Sequence, residues 1–447
     1  MWAEESVFYQ IYPLGFCGAP FENDGILTHR IEKVYDWIPH MKQLGINAIY
    51  FSPVFESDTH GYNTRDYRRI DSRLGSNDDF AKLCRVLHEN GIRIVLDGVF
   101  NHAGRGFFGF RDVQEHRENS KYCSWFYLNF QGDSAYHDGF WYEGWEGNYD
   151  LVKLNLRNEE VIGYLLDSVG QWIDQFDIDG LRLDVAYCLD RDFIRRLRAY
   201  TDSRKQDFFL VGEMLHGDYN EIMRDGMLHS VTNYECYKGL YSSFNSRNLF
   251  EIVHSLMRQF GPEPWTLYQG KHLLNFVDNH DVTRVASILN RPEYVKLIYT
   301  ILFTMPGIPC VYYGSEWGAE GEKTAGDPAL RPCFTQPLEN ELTEWIGLLA
   351  SYKRNSMALN YGSFRSIYLS NQSCVFERWF DRERVLTVIN MEEKPITIRA
   401  NLLGNMEVTE RPPMADSVIS GESVSLTGEL EVPAFHADIL RCRMERV

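Results

Sequence analysis

The 447-residue chain has no patterned cysteine. Nine are scattered along it (Cys17, Cys84, Cys123, Cys188, Cys236, Cys310, Cys333, Cys374 and Cys442), none in a CxxC pair. An odd set in strand- and helix-like contexts predicts free thiols in a reducing compartment, not a disulfide scaffold. No run of about 18 apolar residues occurs, so no membrane-spanning helix is expected. The opening MWAEESVFYQIYP has no basic stretch followed by an apolar one, the mark of a secretory signal, and the expected location is the cytoplasm. Positive charge is short: 45 Lys and Arg against 63 Asp and Glu leave a formal net charge of −18. That disfavours nucleic acid and anionic membranes as partners and favours neutral or cationic ligands. Neither HxH nor HExxH occurs, which disfavours a metal hydrolase, and the absence of GxSxG disfavours a serine hydrolase. There is no internal repeat and no low-complexity tract.

Aromatic residues, by contrast, are plentiful: 26 Tyr, 27 Phe and 10 Trp. Most of them fill core, but flat rings are also the surfaces on which sugar rings stack. Between Ser6 and about Ser356, short apolar runs alternate with amphipathic segments. The runs are VFYQIYP, NAIYFSP, IRIVLDGVF, GLRLDV, FFLVGE, SVTNY, LLNFVDN and PCVYYG. The amphipathic segments include Tyr35–Leu44, Asp78–Asn90, Glu159–Gln175 and Pro292–Thr304. Eight β/α alternations predict an α/β fold, a parallel (β/α)8 TIM barrel, over residues 1–102 and 151–356. The stretch 103–150 is too long for a plain loop after the third strand. Its Gly, Tyr and Trp content, with Trp125, Trp141 and Trp145 near the expected mouth, predicts an inserted lobe. From Met357 to Val447 short period-2 runs separated by turns predict a C-terminal antiparallel β-sandwich.

The chemistry lies at the ends of the apolar runs. IRIVLDGVFNH supplies Asp97, Asn101 and His102, GLRLD supplies Arg182 and Asp184, FFLVGE ends on Glu213, and LLNFVDNHD ends on His280 and Asp281. In a parallel barrel the C-terminal strand ends converge on one face, where active sites form. Arg182 and Asp184 stand at i and i+2, so both point to one side. The guanidinium is expected to keep Asp184 ionised, as a nucleophile requires. Two nearby carboxylates favour a protonated Glu213, as a general acid requires. Two carboxylates in split roles fit glycoside cleavage. A lone Arg-x-Asp is usually a salt bridge and a lone Asn-His-Asp a loop cap. Four such motifs at strand ends of one barrel point to a site.

These motifs, in this order, resemble the α-amylase family of retaining glycoside hydrolases (glycoside hydrolase family 13), and the resemblance spans almost the whole chain. It implies Asp184 as nucleophile, Glu213 as acid/base and Asp281 as transition-state stabiliser. It implies that His102, Arg182 and His280 line the subsite of the attacked glucose, with Asp97 beside them. HGYNTRDY is similar to a family segment in which Tyr62 stacks on that sugar. GDPALRP is similar to another, in which Asp327 and Arg331 hold the next glucose towards the non-reducing end. Read without the family, Tyr62 is core and Asp327/Arg331 an i,i+4 surface pair. LVKLN and EGWEG resemble the cyclomaltodextrinase, neopullulanase and maltogenic amylase group. No cofactor is implied as required. A calcium ion is a possible ligand of the family's fold, with Asn101 the candidate donor, although Cys188 stands where the family places a histidine.

The expected activity is therefore hydrolysis of α-1,4-glucosidic bonds in malto-oligosaccharides, cyclodextrins or starch-derived substrates through a glycosyl-enzyme intermediate. An α-glucanotransferase would use the same intermediate. A non-catalytic carbohydrate-binding protein could use the same fold, but all three carboxylates it could dispense with are present.

Overall fold

A computed structural model describes residues 1–402 and 414–442. Eight short strands form one parallel sheet: β1 (Phe8–Ile11), β2 (Ala48–Phe51), β3 (Arg93–Gly98), β4 (Gly180–Leu183), β5 (Phe209–Gly212), β6 (Ser230–Val231), β7 (Leu274–Asn275) and β8 (Ile308–Tyr312). Chain neighbours are spatial neighbours, in the order β6-β5-β4-β3-β2-β1-β8-β7. A parallel bridge from Thr232 to Leu274 joins the two edges and closes the ring. The eight runs expected from sequence are these eight strands. The four expected helices are Lys33–Gln43, Asn77–Glu89, Glu159–Phe176 and Tyr294–Thr304.

Strands covered on both faces need apolar residues at successive positions, which explains the continuous runs. Outward side chains such as Ile49, Phe51, Ile94, Leu96, Leu181 and Leu183 pack into the large core under the helices. Inward ones alternate with them: Phe8, Ala48, Tyr50, Val95, Phe209, Val211 and Ile308 fill the barrel. Trp2 packs on Phe8 and Phe209, with ring centroids 5.9 and 5.7 Å apart, and closes the N-terminal end. Towards the C-terminal end the interior becomes polar, with Gln10, Asp97, Arg182 and Glu213 all buried. All nine cysteines are free thiols.

The segment after β3 builds its own small sheet, His102–Gly104, Asn148–Lys153 and Gly144–Trp145, beside the helix Phe108–His116. Phe107, Phe110, Trp125, Phe126 and Phe140 are its buried core. After Ser363 six antiparallel strands form one sheet, and the pair Ile396–Ile398/Leu430–Val432 forms a second. Val375, Leu386 and Val388 from the first layer share a core with Ile398, Leu430 and Val432 from the second. The expected C-terminal region includes residues 403–413 and 443–447, which lie outside the described residues.

Gly180 opens β4 where the neighbouring backbone is closest. A Cβ there would stand 2.5 Å from the carbonyl oxygen of Phe209 and 3.0 Å from its Cβ. Backbone cannot yield as a side-chain tip can, so Gly180→Ala is expected to cost about 1–3 kcal/mol. Urea unfolding measures it, and an unchanged midpoint would contradict this packing.

Candidate active site

The register of β3 and β4 sets Arg182 opposite Asp97. Nη1 of Arg182 donates to Asp97 Oδ1 and Oδ2 at 2.9 and 3.0 Å and to Asp184 Oδ1 at 2.8 Å. Nη2 lies 2.7 Å from Glu213 Oε1. One buried guanidinium thus serves three carboxylates from three adjacent strands. Asp97 Oδ2 also accepts from Tyr50 and Tyr62 hydroxyls at 2.9 and 3.2 Å. Glu213 Oε2 accepts from the backbone N–H of Val185 at 3.0 Å. Val185 has φ 39° and ψ 48°, a left-handed conformation that is costly for a β-branched residue. Such strain persists where surrounding structure enforces it, and here it aims an N–H at a carboxylate.

A second group forms the opposite wall. Asp281 Oδ2 lies 3.0 Å from His280 Nε2, and its Oδ1 accepts from Arg331 Nη2 at 2.8 Å. Arg331 is also 3.0 Å from Asp327 Oδ2, and Lys323 Nζ donates to Asp327 Oδ1 at 2.7 Å. Tyr62 hydrogen-bonds to His280 Nε2, and the two rings lie parallel with centroids 5.6 Å apart. Nδ1 of His102 accepts from the Asn101 amide at 3.2 Å. That leaves the ring proton on Nε2, which has no hydrogen-bond partner and sits 3.8 Å from Asp184 Oδ2. These residues enclose a cavity of about 450 Å³. A groove of about 640 Å³ near Trp317 and Phe435 contains none of them.

The electrostatics follow from burial and from the shared cation. Burial pushes His102 down to about 3, so its imidazole is neutral. Burial raises the carboxyl of Asp184 well above the ordinary range; Arg182 opposes this, while Glu213 and Asp97 reinforce it. The expectation that Arg182 keeps Asp184 low is therefore corrected. A single positive charge divided among three acids does not offset desolvation of this one. At Asp281 burial is outweighed by His280 and Arg331, which hold that carboxyl below the usual range.

The structure brings all ten expected residues together. Tyr62, His102, Asp184, Glu213, Asp281, Asp327 and Arg331 line the cavity. Asp97, Arg182 and His280 stand behind them in hydrogen-bond contact. Of the lobe tryptophans only Trp145 lines it. Trp125 is buried and donates to Glu160 at 2.9 Å, so it is core. Trp141 is partly exposed and lies elsewhere. Sequence reasoning missed His60, Tyr234, Leu215 and Lys323 in the lining. His60 and Lys323 had a signal: His60 stands two residues before Tyr62, and Lys323 four before Asp327. Tyr234 and Leu215 had none. Asn101 is buried and turned to His102. Among the described residues no group of three or more His, Cys, Asp or Glu is placed to hold a metal ion.

A barrel with acids converging at its strand ends fixes where chemistry is done, and comparison with known proteins specifies the family. The catalytic domain of alpha amylase, as a family model, matches residues 10–357. The chain belongs to the α-amylase family of glycoside hydrolases. A cyclomaltodextrinase of Thermoanaerobacter pseudethanolicus is 31% identical over 426 residues, covering 90% of this chain and 72% of that protein. A solved cyclomaltodextrinase superposes with a TM-score of 0.87 at 27% identity, over 99% of this chain and 78% of that one. The cyclic α-maltosyl-(1→6)-maltose hydrolase of Arthrobacter globiformis superposes with a TM-score of 0.83 at 26% identity, over 98% of this chain and 99% of that one.

Removing the shared cation has a signed consequence. Without Arg182 the buried carboxyl of Asp184 loses the cation that opposes its burial, so its folded-state affinity for protons rises further above that of the unfolded chain. Stability from such groups is present at low pH and is lost as pH rises above the unfolded value of about 4. Arg182→Met is expected to cost about 3–5 kcal/mol near pH 8 and distinctly less near pH 5. Thermal melts of both proteins at the two pH values test this, and equal losses would refute it.

Proposed function

We propose that this chain is a retaining α-glucan hydrolase that cleaves α-1,4-glucosidic bonds of malto-oligosaccharides and cyclodextrins. One observation carries the reading: Asp184 and Glu213 are held by the two ends of one guanidinium. That bridge favours the short carboxyl separation of about 5–5.5 Å used by retaining enzymes over the about 6.5–9.5 Å of inverting ones. The free thiols and the intracellular style of chemistry they imply support a cytoplasmic setting.

In this mechanism Tyr62, stacked on His280, forms the floor under the attacked glucose. The unpartnered Nε2–H of His102 donates to a sugar hydroxyl. The Asp184 carboxylate attacks the anomeric carbon while Glu213 gives its proton to the departing glycosidic oxygen, and a glycosyl ester forms. Water then attacks the same carbon; Glu213 takes the water's proton and Asp184 leaves as carboxylate. Asp281, kept ionised by His280 and Arg331, stabilises the cationic transition state and binds sugar hydroxyls. Asp327 and Arg331 hold the next glucose towards the non-reducing end. No step requires a metal.

Asp184→Asn is nearly isosteric and is expected to fold while losing almost all turnover. A residual rate above about a tenth of wild type, with unchanged circular dichroism, would remove Asp184 from the nucleophile role. Because attack needs an ionised Asp184 and burial raises its proton affinity, kcat/KM should fall as pH drops through a value above about 4, the ordinary aspartate range. An acid limb at or below that range would contradict it. The lobe narrows the mouth at Trp145, so maltotriose to maltoheptaose or cyclodextrins should give higher kcat/KM than soluble starch. Equal efficiency on starch per bond, with long internal fragments appearing first, is the opposing result.

A further inference from the structure

We propose that the substrate cleft continues past His60 into a third glucose-binding position formed by Tyr136 and Phe21, on the non-reducing side of the scissile bond. This rests on the function proposed above and extends it. His60 lines the catalytic cavity together with Asp327 and Arg331. It also lines a second cavity of about 530 Å³, whose walls include Phe21, Glu22, Asp58, Arg105, Tyr136 and Asp150. The two spaces meet at one side chain, on the side where the second glucose is held.

The second cavity has the chemistry of a sugar site. A glucose ring offers apolar C–H faces and a rim of hydroxyls, so it needs an aromatic platform bordered by charged or polar groups. Tyr136 is half-exposed, yet it is fixed. The Arg105 guanidinium lies 3.8 Å from its ring centroid, and its hydroxyl donates to Asp150. Arg105 is itself anchored by two 2.8 Å bonds to Asp138. Phe21 is 63% exposed, but its backbone is not free. Arg73, fully buried and paired with Asp71, donates to the carbonyls of Pro20 and Phe21 at 2.9 and 2.6 Å. The Asn23 side chain donates to Glu56 and to the Ser57 carbonyl at 2.9 and 2.8 Å. The Tyr136 ring and the backbone that carries Phe21 are therefore in place before any ligand arrives, which lowers the entropy lost on binding. Asp58 and Arg105 supply the polar rim. Phe21 borders this cavity with its ring exposed, where the apolar face of a sugar can stack on it.

Aryl glycosides of fixed length place the added sugar on the non-reducing side, because nitrophenol occupies the leaving-group position. The test compares p-nitrophenyl α-maltoside with the α-maltotrioside, following nitrophenol release and separating internal cleavage products by chromatography. For the wild type kcat/KM should rise about tenfold with the third glucose, the scale of one aromatic contact with its polar rim. In Tyr136→Ala and in Phe21→Ala the rise should shrink to about twofold or less. The two residues lie on separate, exposed segments, so both variants failing to fold is not expected, and either one suffices. A flat length dependence in the wild type, or a full rise in both variants, overturns the third position while leaving the hydrolase reading intact. No cleavage of either glycoside at any bond, neither nitrophenol nor shorter sugars appearing, overturns the hydrolase reading and this extension with it.

Discussion

Everything at the mouth of this barrel depends on one buried cation. Arg182 has no water to solvate it and must be satisfied by acids. It finds three, Asp97, Asp184 and Glu213, because three neighbouring parallel strands end in register. The dependence is mutual: a buried guanidinium without carboxylates would be costly, and so would three buried carboxylates without it. The mismatch of charge, three against one, is what gives the cluster its chemistry. Burial wins at Asp184 and raises its proton affinity above that of an ordinary aspartate, against the pull of Arg182. Asp281, beside both His280 and Arg331, is pulled the other way. Two aspartates of one cavity thus acquire opposite tendencies, one from burial and the other from its cationic neighbours.

Much of this was legible in the sequence, because the signals were local. The apolar runs located the strands, and a residue two places along a strand must share its side, so Arg182 and Asp184 followed directly. The convergence of Asp97, Glu213 and His280 followed from barrel closure, which the count of eight alternations implied. What escaped sequence was set by distance in space and by competition. The sharing of one guanidinium cannot be seen in GLRLD; it needs the register that places Asp97 opposite Arg182. For the same reason GLRLD alone suggests a lowered Asp184, whereas burial and two further acids raise it. The lobe tryptophans show a second limit: Trp125, Trp141 and Trp145 look alike in sequence, yet one is core, one is partly exposed and one lines the cavity. His60 was quoted inside a recognised segment but not chosen, since nothing local says that a histidine beside a turn will border two cavities. Tyr234 and Leu215 sit after strand ends with no chemical signal of their own.

The site also departs from what stability alone would favour, and the departures are chemical in kind. Val185 holds a left-handed conformation so that its N–H meets Glu213. His102 keeps a buried Nε2–H with no partner, although its other nitrogen is satisfied by Asn101. A buried donor left unpaired costs free energy until something accepts from it. In the function proposed above, a sugar hydroxyl would accept from this donor and remove that cost.

The inserted lobe turns this point-like site into a cleft. It leaves the barrel at His102, one of the site's own residues, and returns along Asn148–Lys153, which pairs with His102–Gly104. Its attachment is therefore rigidly coupled to the catalytic wall through that small sheet. On one side it contributes Trp145 to the cavity; on the other, Tyr136 and Arg105 face the segment that carries Phe21. In the cleft proposed above, substrate length would be read by this added lobe and by the loops after β1 and β2, apart from the acids at the strand ends. No residue of the buried charge cluster, Asp97, Arg182, Asp184 and Glu213, comes from the insertion, so the acids and the lobe that borders them are built from separate stretches of chain.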